Sequence, residues 1–312
     1  MIVFCGYANT DLTVRVPVLP GPGARVQATG VSYGEGGMAA NASVAAARMG
    51  ADARFAGVVG DDALSTAFLR TLAAEGVGTD WTARTAELTT AVVLLTPDGE
   101  RSIISQDDAL DAAHVAEVVR TAREAGADWL YLDGYRFPAA ADALAARPGR
   151  PRVVVDLDGC SGPEAMRAAL SAADHAIGGR AQLTECVGDD KALVRAAIEH
   201  QVYLMVTDGP RGWTLLTPTG ERHDGEAIKV DTVDATGAGD CFAGTYCAEL
   251  DRGTAPLDAA RFAAVAAGLS CTRPGARDGM PRREAVGAYL RTLPGRQTAV
   301  RSQPVHSQGE ER

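Results

Sequence analysis

Between Val233 and Gly244 the chain reads VDATGAGDCFAG, with Gly237 and Gly239 set just before Asp240 and a helical pattern running on from Ala238. A helix start leaves backbone N–H groups unpaired and carries a partial positive charge. Without side chains at Gly237 and Gly239, an anion can come close to those groups, which is the physics of a phosphate-binding turn. A carboxylate at Asp240 repels a phosphate, so it needs a task of its own. Taking the proton from a hydroxyl that attacks phosphorus is such a task. Read alone, the same residues also describe a tight turn followed by an acidic helix cap.

A second group stands at the other end of the chain. GYANTD, residues 6–11, leaves a strand pattern with Asn9 and Asp11 at its carboxyl end. GEGGMAANASVAAARMG, residues 34–50, places Gly36 and Gly37 before a helix with Asn41 one turn in. Asn9, Asp11 and Asn41 can divide donors and acceptors among the hydroxyls of a polyhydroxylated ligand, and the glycines open the backbone to it. Each of these residues, taken singly, is an ordinary structural amide or strand-end acid. The combination points to a site.

These residues need a frame. β-Branched runs at 2–6, 53–60, 129–134, 152–158 and 202–209 read as buried strands. Helical patterns at 38–49, 63–75, 112–125, 139–146, 164–172 and 190–199 alternate with them. The alternation predicts an α/β fold, a doubly wound and mainly parallel sheet flanked by helices. Ligands of such sheets bind beyond the carboxyl ends of the strands. Residues 12–34 and 88–106 break the rhythm with strand-like pieces, the second a hairpin around Pro97-Asp98-Gly99. They predict a small β-strand lid over a cleft. Residues 1–292 are expected to form one domain, and the polar, aperiodic tail 293–312 to be disordered.

Composition narrows the classes. With 40 acidic and 30 basic residues, a formal charge of −10 argues against nucleic-acid binding. Six cysteines without a CxxC pair predict neither a disulfide framework nor a zinc site. The start MIVFCGYANTD lacks a basic leader region, and no apolar run reaches the roughly 20 residues a bilayer needs. A cytoplasmic chain without membrane partners is the expectation. A dinucleotide dehydrogenase would carry GxGxxG after its first strand, and GYANTD does not.

With two distant motifs in this order, the chain resembles the ribokinase-like (PfkB-type) carbohydrate kinases from about Ile2 to Leu290. The resemblance is carried by GGMAANASVAAARMGA at 36–51, VVGDD at 58–62, VTDGPRGW at 206–213 and DATGAGD at 234–240. It implies an ATP-dependent sugar kinase using Mg2+, with Asp240 as catalytic base and the amides of Gly237, Ala238 and Gly239 holding the migrating phosphoryl group. It implies that Asn9, Asp11, Gly36, Gly37 and Asn41 bind the acceptor, and that Thr207, Gly209 and Thr236 line the nucleotide side. Many relatives bind a monovalent cation such as K+, for which Asp234 and the loop 270–281 are candidates. Lid strands in such kinases often pair across a homodimer, and exposed edges invite that pairing. One departure concerns magnesium: Gly179 and Gln182 stand where relatives carry an Asn-x-x-Glu element, with Glu185 a turn further on.

For the acceptor, the loop CTRPGARDGMP is similar to a branch containing sulfofructose kinases and ketohexokinase-like enzymes, which implies a ketose or an anionic sugar. An anionic group would want a cation, for which Arg25 and Arg136 are candidates, and Asp133 can bond a sugar hydroxyl. A nucleoside acceptor would want an aromatic stacking surface, and Tyr33 is the only aromatic residue of the lid segments. A sugar-binding regulator without catalysis would be expected to lose Asp240.

Overall fold

Ile2 and Phe4 pack into one apolar cluster, while Val3 and Cys5 pack into another. That is the two-residue period of a strand buried on both faces, as a parallel sheet between helix layers requires. The computed structural model describes residues 1–97, 101–106, 108–145, 149–292 and 301–304.

Strands β1 (Ile2–Cys5), β2 (Asn9–Arg15) and β3 (Gly30–Gly36) lead into helix α1 (Met38–Arg48). Then come β4 (Ala53–Phe55), α2 (Ala63–Ala74), β5 (Thr89–Leu95), β6 (Arg101–Ile104) and α3 (Ala112–Glu124). β7 (Trp129–Asp133), α4 (Ala141–Leu144), β8 (Arg152–Asp156), α5 (Pro163–Ala172), β9 (His175–Gly179) and α6 (Arg180–Cys186) continue the alternation. α7 (Asp190–His200) precedes the run β10 (Tyr203–Thr207), β11 (Trp213–Leu216) and β12 (Glu221–Gly225). α8 (Ala238–Asp251), α9 (Pro256–Ser270), α10 (Arg283–Thr292) and β13 (Arg301–Pro304) close the described chain.

The main sheet runs β13-β12-β11-β10-β9-β8-β7-β1-β4. It is parallel from β4 to β10 and antiparallel beyond. The doubly wound α/β expectation holds. β1 has β4 on one side and the later β7 on the other, so the winding reverses at β1, and its carboxyl end is the switch-point crevice where ligands bind. Asn9 follows directly.

The two irregular segments form a separate sheet of order β3-β2-β5-β6. The Asp98 and Gly99 positions of the expected hairpin turn lie outside the described residues. In register, Tyr33, Leu12, Val92 and Ile104 make one row across all four strands, and Val31, Val14 and Leu94 share its face. Asn9 and Asp11 alternate to the opposite face.

Two crossing helices bring the chain ends together. α1 and α8 approach so closely that a Cβ on Gly244 would stand 2.0 Å from the Ala42 carbonyl oxygen. The alanine-rich sequence of α1 permits this contact, and it sets Asn41 beside Asp240.

Several elements go beyond the sequence reading. β9 ends in Gly-Gly and β12 reads ERHDG, so neither shows a strong strand pattern; pairing with neighbours decides them. The disordered tail expected from composition is interrupted by β13, because the free edge of β12 offers Arg301–Pro304 an antiparallel ladder. Residues 293–300 and 305–312 of that tail lie outside the described residues. Among the described residues, no helix is long and apolar enough to cross a membrane.

Candidate active site

The Asn41 side chain is the meeting point. Its Nδ2 donates to Asp240 Oδ2 at 2.8 Å, and its Oδ1 accepts from Arg277 Nε at 2.7 Å. Arg277 also donates to Glu35 Oε2 at 2.6 Å and to the Gly36 carbonyl at 3.3 Å. Asn9 Nδ2 donates to Asp11 Oδ1 at 2.6 Å. A Cβ on Gly36 would stand 2.6 Å from Asn9 Oδ1 and 2.7 Å from Asp11 Oδ2. Gly37 crosses under the strand start, where a Cβ would meet Ala8 Cα at 2.4 Å. Asn9, Asp11, Gly36, Gly37, Asn41 and Asp240 therefore gather in one place.

The contact at Gly36 makes a sharp prediction. Gly36→Ala must push Asn9 and Asp11 aside, and each hydrogen bond lost to a charged group costs about 1.5–3 kcal/mol. The KM for the acceptor should rise about tenfold or more, with the nucleotide KM little changed, as steady-state kinetics on both substrates would read.

Burial is the main influence on Asp240 and raises its pKa to about 7; the Asn41 hydrogen bond and Arg277 pull it down, while Asp158 and Asp133 push it up. Burial also raises Asp11, against the Asn9 hydrogen bond and Arg277. A carboxylate that titrates near neutrality is well matched to taking a proton from an alcohol.

The glycine turn behaves as anion-binding backbone. Gly237 caps α8 with φ 74°, a left-handed conformation, and a Cβ there would also meet the Ala276 oxygen at 2.6 Å. Gly239 faces open space. Among the described residues, the N–H groups of Gly237, Gly239 and Asp240 have no hydrogen-bond partner. The expectation that Ala238 shares in this set is corrected: its N–H turns back to the Ala235 carbonyl at 3.2 Å. Asp234 accepts the N–H of Thr236 at 2.9 Å and of Gly275 at 2.9 Å, tying the turn to the loop after α9.

On the nucleotide side, Thr207 ends β10 and donates to the Gly178 carbonyl at 3.3 Å, and Gly209 begins a short 3-10 turn. Beside them opens a cavity of about 400 Å³, lined by Arg180, Asp208, Arg211, Trp213, Arg222 and Asp224 among others. Its arginines are paired: Arg180 and Arg211 with Asp208, Arg222 with Asp224. Gln182 Nε2 donates to the Cys160 carbonyl at 3.2 Å, while its Oε1 is buried with no hydrogen-bond partner. Asp158 Oδ1 accepts the Gly179 N–H at 3.2 Å. Glu185 is exposed.

The two cations proposed for an anionic sugar do not gather at the cluster. Arg136 is buried and donates to Asp133 at 3.0 Å, to Asp108 at 2.8 Å and to the Leu110 carbonyl at 2.8 Å. Asp133, fully buried, also receives the Tyr7 N–H. This corrects the reading of Asp133 and Arg136 as ligand contacts: they form a buried brace under the β1 crevice. Arg25 is exposed in the β2–β3 connection, and none of the hydrogen bonds or ion pairs of the described residues joins it to the cluster.

Arg277 is the residue the sequence reading missed. A single arginine in a Gly/Pro-rich loop has no periodicity to mark it, and its partner Asn41 lies 236 positions away. The available signal was its place in the loop 270–281, a candidate source of monovalent-cation ligands.

An open amide turn, a carboxylate titrating near neutrality and a polar acceptor cluster within one hydrogen bond of it make this a phosphotransferase with an alcohol group as acceptor. Residues 1–283 match the model of the pfkB family carbohydrate kinases, and the chain belongs to that family. It is 30% identical over 294 residues to the ATP-dependent ribose-1-phosphate kinase of Halopiger xanaduensis, covering 93% of this chain and 97% of that one. It is 28% identical over 311 residues to the ribokinase of Bacillus subtilis, covering 93% and 99%. Among solved structures, Arabidopsis thaliana ribokinase complexed with ribose and ATP superposes with a TM-score of 0.79 at 24% identity, covering 94% of this chain and 99% of that one. Thermotoga maritima ribokinase gives a TM-score of 0.79 at 24% identity, covering 93% and 99%.

Proposed function

We propose that the protein transfers the γ-phosphoryl group of ATP to a hydroxyl of a small ribose-type sugar, free or already phosphorylated. The observation that carries this reading is the 2.8 Å contact between Asn41 and Asp240, which joins the acceptor cluster to the phosphate turn. Asn9 and Asp11 hold acceptor hydroxyls. Asp240 Oδ1, the oxygen not held by Asn41, takes the hydroxyl proton as the alcohol oxygen bonds to the γ-phosphorus and the bond to ADP breaks. The free N–H groups of the turn stabilise the charge on the migrating group, each donor of this kind being worth about 3 kcal/mol in a transition state.

Magnesium bound with the nucleotide would neutralise phosphate charge. The orphaned Gln182 Oε1 and the Asp158 carboxylate are the residues that would hold it, although the usual Asn and Glu are absent. Asp234 and nearby carbonyls remain the candidate ligands for K+.

Similarity to ribose-type kinases favours a ribose-type acceptor over sulfofructose, and the engagement of Arg136 with Asp133 and Asp108 takes it away from any sulfonate. A nucleoside is the second reading. Against it, Tyr33 lies on the sheet face opposite Asn9 and Asp11, where it is no stacking surface for an acceptor. A coupled ADP-release screen decides: ribose, ribose 1-phosphate, ketoses, sulfosugars and nucleosides, each with and without K+. Turnover on nucleosides alone would overturn the reading.

A homodimer through the small sheet belongs to the same proposal. Tyr33 is 82% exposed, Ile104 64% and Val31 54%, on one face of that sheet. Apolar rows so exposed favour a cover, and a second copy offers the self-complementary one. Sedimentation should give a dimer at micromolar concentration, and Tyr33→Lys combined with Ile104→Lys a monomer.

A further inference from the structure

We propose that Arg277 is a positioning residue for phosphoryl transfer: its guanidinium fixes the Asn41 amide so that Asn41 holds one oxygen of Asp240 and leaves the other to the acceptor hydroxyl. The inference rests on the kinase reading above and deepens it.

The chemistry of the donors decides the orientation. An asparagine between two partners can present either its oxygen or its nitrogen, but a guanidinium carries donors only. The Asn41 atom 2.7 Å from Arg277 Nε is therefore the oxygen. The nitrogen is left facing Asp240 Oδ2 at 2.8 Å, as a donor to a carboxylate should. Without Arg277 the amide loses its anchor, and the flipped form would set oxygen against oxygen.

Arg277 is itself held on every side. It is 9% exposed, its Nη1 bonds Glu35, and Glu35 Oε2 also accepts the Thr71 hydroxyl at 2.5 Å. The guanidinium lies 5.2 Å from the centre of the Phe68 ring. Arg48 Nη1 donates to the Arg277 carbonyl at 2.6 Å, and Arg48 is fixed in turn by Glu75. A side chain so constrained can hold Asn41 to one geometry.

The charges around Asp240 give Arg277 a second effect. Asp133 faces it from the end of β7, Asp156 and the Tyr131 hydroxyl from β8 and β7, and Asp158 from just beyond β8. Arg277 is the cation acting against these carboxylates. Its loss leaves Asp240 with the Asn41 amide alone.

The test is a carboxyl titration of Asp240 by carbon-13 NMR in the full chain, paired with pH-dependent kinetics. Arg277→Met should raise the Asp240 midpoint by about one unit, the scale of a lost neighbouring charge. The acid limb of kcat should move by the same amount, and kcat at pH 7 should fall about tenfold or more, with the ATP KM unchanged. Arg277→Lys should recover most of the midpoint and part of the turnover. Because the positioning effect of Arg277 runs through Asn41, the loss from Arg277→Met should shrink in an Asn41→Ala background to the part its charge alone carries. An unmoved midpoint, or losses that simply add, would overturn the proposal. If Arg277→Met fails to fold, Arg277→Gln removes the charge with less disturbance and must still raise the midpoint. A wild-type chain that releases no ADP with any acceptor defeats the kinase reading alone, since the titration still decides whether Arg277 acts on Asp240.

Discussion

Asp240→Asn should cut kcat by about a hundred- to ten-thousandfold, the range a general base supplies, while the acceptor still binds. The substitution is isosteric, and the new amide can turn its oxygen toward Asn41 Nδ2, so the 2.8 Å contact has a neutral successor. Binding by Asn9 and Asp11 is untouched. The pattern separates catalysis from recognition: calorimetry with the acceptor and ADP should show near-normal affinity in a variant that has almost stopped turning over. A sugar-binding protein without catalysis would show no turnover in the parent chain either.

The same residue sets two pH dependences of opposite benefit. Its pKa is raised from 3.8 to about 7 in the folded chain, chiefly by burial. The base is competent only when deprotonated, so kcat/KM for the free enzyme should fall about tenfold per unit below pH 7. Stability runs the other way. Between pH 4 and 7 the folded state binds a proton that the unfolded state has released, so the stability from this group is fully present below pH 4 and is lost as pH rises through 7. Above pH 7 the parent carries a half-buried charge that Asp240→Asn does not. The variant should therefore melt above the parent at pH 8, with the gap closing toward pH 4. Thermal melts across that range check the sign, and a gap that widened on acidification would show that the folded chain does not raise the pKa of Asp240.

What the sequence disclosed follows the kind of physics involved. Gly237, Gly239, Asp240 and the pair Gly36-Gly37 were legible because backbone approach and helix starts depend on residue type at short spacing. The parallel strands were legible from apolar runs, and the small sheet from the two segments that broke the alternation. Long-range partners left no such mark. Arg136 looks like any arginine near a strand end, and only the fold brings Asp108, 28 positions away, to it. Ala238 sits inside the glycine turn, yet which N–H groups stay open depends on a local bend toward Ala235. The strand β12 carries Glu, Arg, His and Asp in a row and is a strand because β11 pairs with it. Sequence spoke for the chemistry of the turn, and tertiary structure for the residues that hold it.

The helix crossing that unites the two ends leads to the second large effect. At Gly244, α8 has no side chain because the Ala42 carbonyl of α1 occupies the place of one, 2.0 Å from where a Cβ would be. The nearest obstacle is backbone, which cannot swing aside as a long side chain can. Gly244→Ala must therefore separate the helices, and overpacking of this kind typically costs about 1–3 kcal/mol, occasionally more. An ordinary helical glycine would gain about 1 kcal/mol from the same change, so even the sign separates the two cases. A melting temperature lowered by several degrees is the expected result. Activity should fall further than stability accounts for, because Asn41 lies one residue before Ala42 and Asp240 one helical turn before Gly244. A displacement of about 1 Å between groups that act together can cost a hundredfold in rate. Turnover measured well below the melting temperature, where the variant is fully folded, isolates that geometric loss. Should Gly244→Ala instead be neutral or stabilising with full turnover, the close crossing of α1 and α8 would not be what sets Asn41 against Asp240.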